Sequence, residues 1–327
     1  MKQSCITIIG AGHIGSRHLQ ALCHLEHPIR IDLVDPSDES LQTAQDRYEE
    51  VASPGKQAIE LHCHNSLGDL PDTLDLIIIA TNSLVREKVL RDVIRKRPVK
   101  NLILEKVLFQ RTEQYIKVES LLKESSIPTW VSCWMRTTNL YKRIKSLLDH
   151  EEKIQMKIEG PLWGMGCNSI HFMDLFSYLT NTEDFKFTNN ELENKVLESK
   201  RTGFKEFSGR LEGQSSHGHT LELICYETGK EPTTVKILNG SESFRISGLL
   251  GDVVLETSNK NKNYMEKTYL PYQSQLTHLW TNQILEKGSC DLPTYAESML
   301  LHLELIRVFT NHLEKVTKKE INACPIT

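Results

Sequence analysis

The stretch Ile6-Thr7-Ile8-Ile9-Gly10-Ala11-Gly12-His13-Ile14-Gly15-Ser16-Arg17-His18 joins a short apolar β-type run to three spaced glycines and then to a helical pattern. An opening of this kind commits the chain to a βα unit whose turn is shaped to receive a phosphate group. Gly10 lets the strand turn sharply, and Gly12 keeps side chains away from the place where a pyrophosphate approaches the backbone. Gly15 lets the new helix pack closely on the strand, aiming its N-terminal N–H groups at the phosphates. His13 and Ile14 lie in the same expected cofactor turn. A second β-type run over 29–34 ends at Asp35, twenty residues after Gly15, where a carboxylate receives the adenosine ribose hydroxyls in dinucleotide sites. Its charge repels a 2′-phosphate, and Pro36-Ser37-Asp38-Glu39 supplies no Arg or Lys to offset that repulsion, so the expected cofactor is NAD rather than NADP.

The 327 residues, 39% hydrophobic and 25% charged, suffice for two domains with proper cores. A formal charge of −4 and the lack of basic clusters interleaved with aromatics argue against a nucleic-acid partner. Arg91, Arg95, Lys96, Arg97 and Lys100 read as one solvated helix face and its exit. No apolar run approaches the roughly 18 residues of a membrane span, and the opening passes straight into a strand, so no membrane partner and a cytoplasmic location are expected. The eight cysteines carry no CxxC pairs, which favours free thiols over disulfides or a structural zinc. His62-Cys63-His64 would place two imidazoles on one strand face without a third local ligand, and no metal is expected there.

Helical spacing over 40–51, 85–97 and 112–125 alternates with β-type runs at 59–64, 74–80, 101–104 and 129–132. The pattern predicts a doubly wound parallel sheet, a Rossmann domain over residues 1–128. From 129 to 327 the pattern changes. Helices are expected over 139–152, 167–179, 275–286 and 295–316, and short alternating runs over 154–159, 204–208, 220–226, 233–238, 243–247 and 252–257 indicate an antiparallel sheet. This second domain reads as α+β, with one sheet face under helices and the other free to meet a partner subunit. Segments 200–213 and 214–219 read as loops able to supply substrate-selecting side chains.

Thr81 and Asn82, in Ala80-Thr81-Asn82-Ser83, follow a buried strand and so lie at the carboxyl edge of the sheet, where ligands sit in open α/β folds. Glu105-Lys106 follows the next strand at that edge, and a lysine there can hydrogen-bond a substrate hydroxyl and serve as an acid/base. In the second domain His171 and Asp174, at i and i+3, share one helix face, with Cys167 one turn earlier and Asn168 turned away from it. A histidine is a good proton acceptor near neutral pH, and a neighbouring carboxylate can hold its tautomer.

Taken together, these residues resemble the Gfo/Idh/MocA family of NAD(P)-dependent oxidoreductases. The resemblance rests on Gly10-x-Gly12-x-x-Gly15-x-Arg17-His18, Ala80-Thr81-Asn82, Glu105-Lys106 where the family has Glu-Lys-Pro, Arg136 after the last Rossmann strand, and His171-x-x-Asp174. It implies an N-terminal Rossmann domain followed by a domain built on an open, mostly antiparallel sheet, often used for dimer or tetramer contacts. By the same resemblance Glu105 and Arg136 belong to the cofactor site, Lys106 and His171 lie near the substrate hydroxyl, and Asp174 binds or orients it. Cys167 and Asn168 complete the expected substrate-binding set. Three positions depart from the family pattern. Val107 replaces the usual proline, so a trans peptide is expected after Lys106. Arg86 replaces a frequent histidine. Cys167 stands where dehydrogenases of the family generally carry aspartate, removing a carboxylate that would raise the imidazole pKa.

The expected activity is hydride transfer between a secondary alcohol of a sugar or sugar derivative and nicotinamide, with Lys106, His171 and Asp174 handling the proton. Two rivals remain: a glycoside-cleaving enzyme that recycles its NAD, and a non-catalytic NAD-binding sensor or partner subunit. The Asn322-Ala323-Cys324-Pro325-Ile326-Thr327 ending and the Cys167–His171 variant resemble members associated with bacterial surface-sugar synthesis.

Overall fold

Six short, mostly apolar runs form the first sheet of the computed structural model, which describes residues 3–52, 59–259 and 262–327. In chain order the elements are β1 (Ser4–Ile9), α1 (His13–Leu22), β2 (Ile29–Val34), α2 (Asp38–Glu49), β3 (Ile59–His64), β4 (Leu76–Ile79), α3 (Arg86–Lys96), β5 (Leu102–Leu104), α4 (Thr112–Glu124) and β6 (Thr129–Val131). All strand pairs are parallel, in the order β3-β2-β1-β4-β5-β6, the doubly wound arrangement. Central strands carry apolar side chains on both faces because helices cover both. Every residue of β4 and β5 is buried accordingly. Since the strands run parallel, their carboxyl ends share one edge. Gly10, Asp35, Thr81 and Glu105 each follow a different strand end there.

The second group of elements comprises α5 (Asn139–Leu147), β7 (Ile154–Pro161), α6 (Met165–Thr180), β8 (Lys186–Leu192), β9 (Leu197–Glu198), β10 (Lys205–Glu206), β11 (Gly209–Gln214), β12 (Thr220–Tyr226), β13 (Thr234–Asn239), β14 (Glu242–Ser247), β15 (Gly251–Ser258) and β16 (Asn263–Leu270), followed by α7 (Thr277–Lys287) and α8 (Tyr295–Thr317). Eight strands form one sheet, β16-β15-β14-β13-β7-β12-β11-β8. Among them β7 and β12 pair in parallel, and the other pairs are antiparallel. One face packs under α6 and α8, with Phe207 stacked on Phe309 at 4.2 Å and Glu304 of α8 accepting the Phe187 N–H at 2.7 Å. Its other face carries cross-strand ion pairs, such as Lys157 with Glu222 at 3.8 Å and Arg210 with Glu222 at 2.5 Å.

The structure differs from the sequence expectation at three places. The segment 200–213, expected to be a loop, contains β10 and most of β11, because Arg210 and Glu212 occupy the solvated side of a strand whose inward Leu211 is fully buried. Strand β16 escapes an alternation test because most of its residues are exposed. Helix α5 ends at Leu147 rather than near 152, where the Asn239 side chain receives the Asp149 N–H at 2.7 Å.

The chain divides into two compact units. The first runs through Phe109 and adds Glu113–Ser132 and Tyr272–Tyr295; the second comprises Gln110–Thr112, Cys133–Pro271 and Ala296–Thr327. A single cut after residue 128 therefore misses a return of the chain. In the first unit the Val131 N–H donates to Pro293 O at 2.9 Å, and Trp130 bridges Thr294, so the returning segment continues the edge beyond β6. A long excursion between sequence-distant partners leaves no local signature of such a return.

Candidate active site

The turn between β1 and α1 has the geometry that its glycines require. Gly10 has φ +99°, a conformation open to glycine and strained for other residues. A Cβ on Gly15 would lie 1.7 Å from Gly10 O, whereas one on Gly12 would meet no protein atom within 4 Å. Gly15 is thus demanded by packing, whereas the space over Gly12 is open. Helix α1 begins after Gly12 with no side-chain cap and no acidic residue in its first turn, so its first N–H groups face the open side of Gly12. Exposed His13 and partly buried Ile14 form that first turn.

Asp35 closes the other side of the turn: its carboxylate accepts the Ala11 N–H at 2.8 Å and the Ser37 N–H at 2.9 Å. Each oxygen has a second lone pair for a hydroxyl donor. The backbone of Thr81 abuts Gly10, within 2.9 Å of where a Cβ would stand. Its buried hydroxyl has no hydrogen-bond partner among the described residues. Asn82 Oδ1 accepts from the N–H groups of Leu84 and Val85, turning the chain into α3. An open space over Gly12, a helix start with no side-chain cap, a carboxylate twenty residues after Gly15 and an orphaned Thr81 hydroxyl together fit a dinucleotide.

One strand on, Glu105 and Lys106 leave β5 at the same edge. The Glu105 carboxylate is buried and takes a 2.9 Å contact from His18 Nε2. Burial alone would push this acid upward, but His18, Ser132 and Lys106 outweigh it and hold it down at about 2. Lys106 is partly buried. The peptide from Lys106 to Val107 is cis, correcting the trans bond expected in the absence of proline. That expectation considers the isolated bond alone; here the carbonyls of Val107 and Leu108 both accept from the buried Arg86 guanidinium, which also donates to Thr81 O. Arg86 thus ties the loop after β4 to the loop after β5.

In the second unit α6 carries the other expected residues. His171 is 6% exposed, with its ring edge-to-face against Trp134 at 6.0 Å. Asp174 is fully buried, and its carboxylate is held by both arms of Arg136, Nε to Oδ2 at 2.9 Å and Nη2 to Oδ1 at 2.8 Å. Burial pushes Asp174 up to about 7 against the pull of Arg136. A second carboxylate, Glu297, lies 3.4 Å from Arg136 Nη1. The structure thus brings Arg136 and Asp174 together as a paired fork. Cys167 Sγ lies 3.5 Å from Gly164 O, and Asn168 donates to Trp163 O at 2.7 Å. Glu206, which sequence reasoning passed over, accepts the Gly166 N–H at 2.6 Å and so caps α6.

His18 and Thr277 were also missed as site residues. Both are fully buried, and they touch across 259 residues at 2.8 Å. His18 appears within the glycine pattern, but nothing local reveals its partners.

No family model matches the chain, and no curated protein sequence does either. Solved structures match nearly its full length. An oxidoreductase from Agrobacterium radiobacter, in complex with NAD+, L-tartaric acid and magnesium, is 14% identical with a TM-score of 0.71, covering 93% of this chain and 94% of its own. The chain has the fold of the Gfo/Idh/MocA-type oxidoreductases. UDP-N-acetylglucosamine 3-dehydrogenase from Acidithiobacillus ferrooxidans is 12% identical, TM-score 0.67, over 94% of this chain and 96% of its own. A super-repressor mutant of Gal80p from Saccharomyces cerevisiae is 15% identical, TM-score 0.68, over 96% and 97%. This fold therefore serves both dehydrogenases and a repressor, and the activity must be argued from the residues.

Proposed function

We propose that the protein is an NAD-dependent oxidoreductase acting on a secondary alcohol of a sugar or sugar derivative, with bacterial surface-sugar synthesis as the process it serves. The observation that carries this reading is the placement of the Gly10–Gly15 turn, Asp35 and Glu105-Lys106 at one carboxyl edge of one parallel sheet. In it the α1 N-terminus and the Gly12 backbone hold the pyrophosphate, Asp35 receives the ribose hydroxyls, and Thr81 and Asn82 border the remainder. NAD supplies a hydride acceptor at nicotinamide C4. Lys106 hydrogen-bonds the substrate oxygen and accepts its proton as the carbinol is oxidised, returning it in reduction. His171, poised on Trp134, is the second candidate for exchanging that proton. The Arg136–Asp174 pair supports α6 beneath it. A homodimer or homotetramer remains part of the proposal, and light scattering tests it.

The purified protein with NAD+ or NADH and a panel of sugars and nucleotide sugars tests the reading. Sugar-dependent change in NADH is expected, falling roughly a hundredfold or more in Lys106→Ala. Turnover unaffected by that substitution would remove Lys106 from the chemistry.

A second reading, an NAD-binding sensor without turnover, is favoured by the thiol of Cys167 in place of a carboxylate and by the commitment of Asp174 to Arg136. NADH binding with no turnover on any sugar, together with tolerance of His171→Ala, would select it.

A further inference from the structure

The buried contacts of Glu105 run past His18. Nε2 of the imidazole faces Glu105 Oε1 at 2.9 Å, and its Nδ1 faces Thr277 Oγ1 at 2.8 Å. Gln273 Nε2 donates to Thr277 Oγ1 at 3.1 Å and lies 3.3 Å from His18 Nδ1. Both polar neighbours of Nδ1 can donate to it, and the neighbour of Nε2 is an acceptor. This arrangement selects the imidazole tautomer that accepts at Nδ1 and donates from Nε2–H to the carboxylate.

We propose that Thr277, His18 and Glu105 form a directed hydrogen-bond relay that positions Lys106, with His18 and Thr277 acting as positioning residues. The inference rests on the reading of Lys106 given above. Glu105 adjoins Lys106 in the chain, so fixing its carboxylate fixes the backbone from which Lys106 projects. His18 belongs to the second turn of α1, whose first turn forms the proposed phosphate site. One side chain thereby links the helix that receives the phosphates to the strand end that carries the acid/base. The side chain of His18 is 0% exposed and that of Glu105 7%, so bulk water has little access to their contact. A histidine kept only for packing would leave its hydrogen-bond polarity without consequence. A relay makes that polarity matter, because loss of the Thr277 hydroxyl removes the nearer donor to Nδ1, leaves only the longer Gln273 contact, and weakens the hold on the ring that serves Glu105.

The test uses the full-length protein and the variants Thr277→Val, which removes the hydroxyl at nearly constant volume, and His18→Gln, which keeps a donor and an acceptor. With any panel sugar that turns over, Thr277→Val should lower kcat roughly ten- to a hundredfold at unchanged KM for NAD, with a displaced pH profile, and His18→Gln should recover part of that loss relative to His18→Leu. Carbon NMR of the Glu105 carboxyl provides a reading that needs no turnover: its midpoint should rise by about one pH unit or more in Thr277→Val. Wild-type kcat and an unmoved Glu105 midpoint in that variant overturn the relay. Where no sugar turns over, the Glu105 midpoint alone decides. Failure of the wild-type protein to bind NADH overturns the functional reading instead, and the carboxyl midpoint still decides the relay.

Discussion

Glu105 shows how a single side chain is tuned against its surroundings. Burial opposes its ionisation, yet His18, Ser132 and Lys106 bring it from an ordinary 4.5 to about 2. A carboxyl whose folded pKa lies below its unfolded value adds stability that is fully present above 4.5 and is lost as the pH falls toward about 2. The slope contributed within that window is at most about 1.4 kcal/mol per pH unit. Denaturant unfolding at about pH 5 and about pH 3 should show a larger loss for the wild-type protein than for Glu105→Gln, which has no carboxyl to titrate. Equal losses would mean that the fold does not lower the Glu105 pKa. The sequence makes Glu105 visible through its place after an apolar strand. Its partners lie 87 residues away at His18 and, through that ring, at Thr277, and no local pattern discloses them.

Between elements, Arg86 does the most with one side chain. It opens α3 at 1% exposure and donates to carbonyls after both β4 and β5, fastening together the two loops that carry Thr81 and Lys106. Removing it strands those buried carbonyls, so Arg86→Met should destabilise the first unit by about 3 kcal/mol. Thermal unfolding checks this, and an unchanged Tm would deny the clamp. Legibility at this level followed the chemistry of each pattern. The strands β4 and β5 are readable because burial on both faces forces unbroken apolar runs, and the β1–α1 turn and β2 because of the glycine spacing and the carboxylate that follows. Strands β8, β11 and β16 were not, because charged or exposed residues on their open faces imitate loops. Arg86 was noticed only as a departure from a family pattern, since its carbonyl partners are backbone and leave no trace in side-chain composition. Helix spacing shows that Asp174 shares a face with His171, whereas its pairing with the Arg136 guanidinium, from before α5, spans 38 residues and leaves no local signature.

In the molecule as a whole, the chain leaves the first unit after Ser132 and returns to it for Tyr272–Tyr295. That return supplies Thr277 to His18 and Pro293 to Val131. A fragment of residues 1–132 lacks both and should unfold at lower denaturant than one in which 272–295 is rejoined through a flexible linker. Equal midpoints would show that the returning segment is dispensable. The division into a Rossmann unit and a unit built on an open sheet was readable from the change of periodicity near Cys133, whereas the interleaving was not.

Gly12 and Gly15 offer the sharpest separation of ligand from fold. A Cβ on Gly15 collides with Gly10 O at 1.7 Å, while a Cβ on Gly12 touches no protein atom within 4 Å. NADH titration of Gly12→Ala beside the wild-type protein, with Tm recorded for both, is the most direct measurement. The expected result is NADH binding weakened about tenfold or more, at a Tm close to that of wild type. A Gly12→Ala protein that binds NADH as tightly as wild type would contradict the dinucleotide site, and with it the oxidoreductase built on that site.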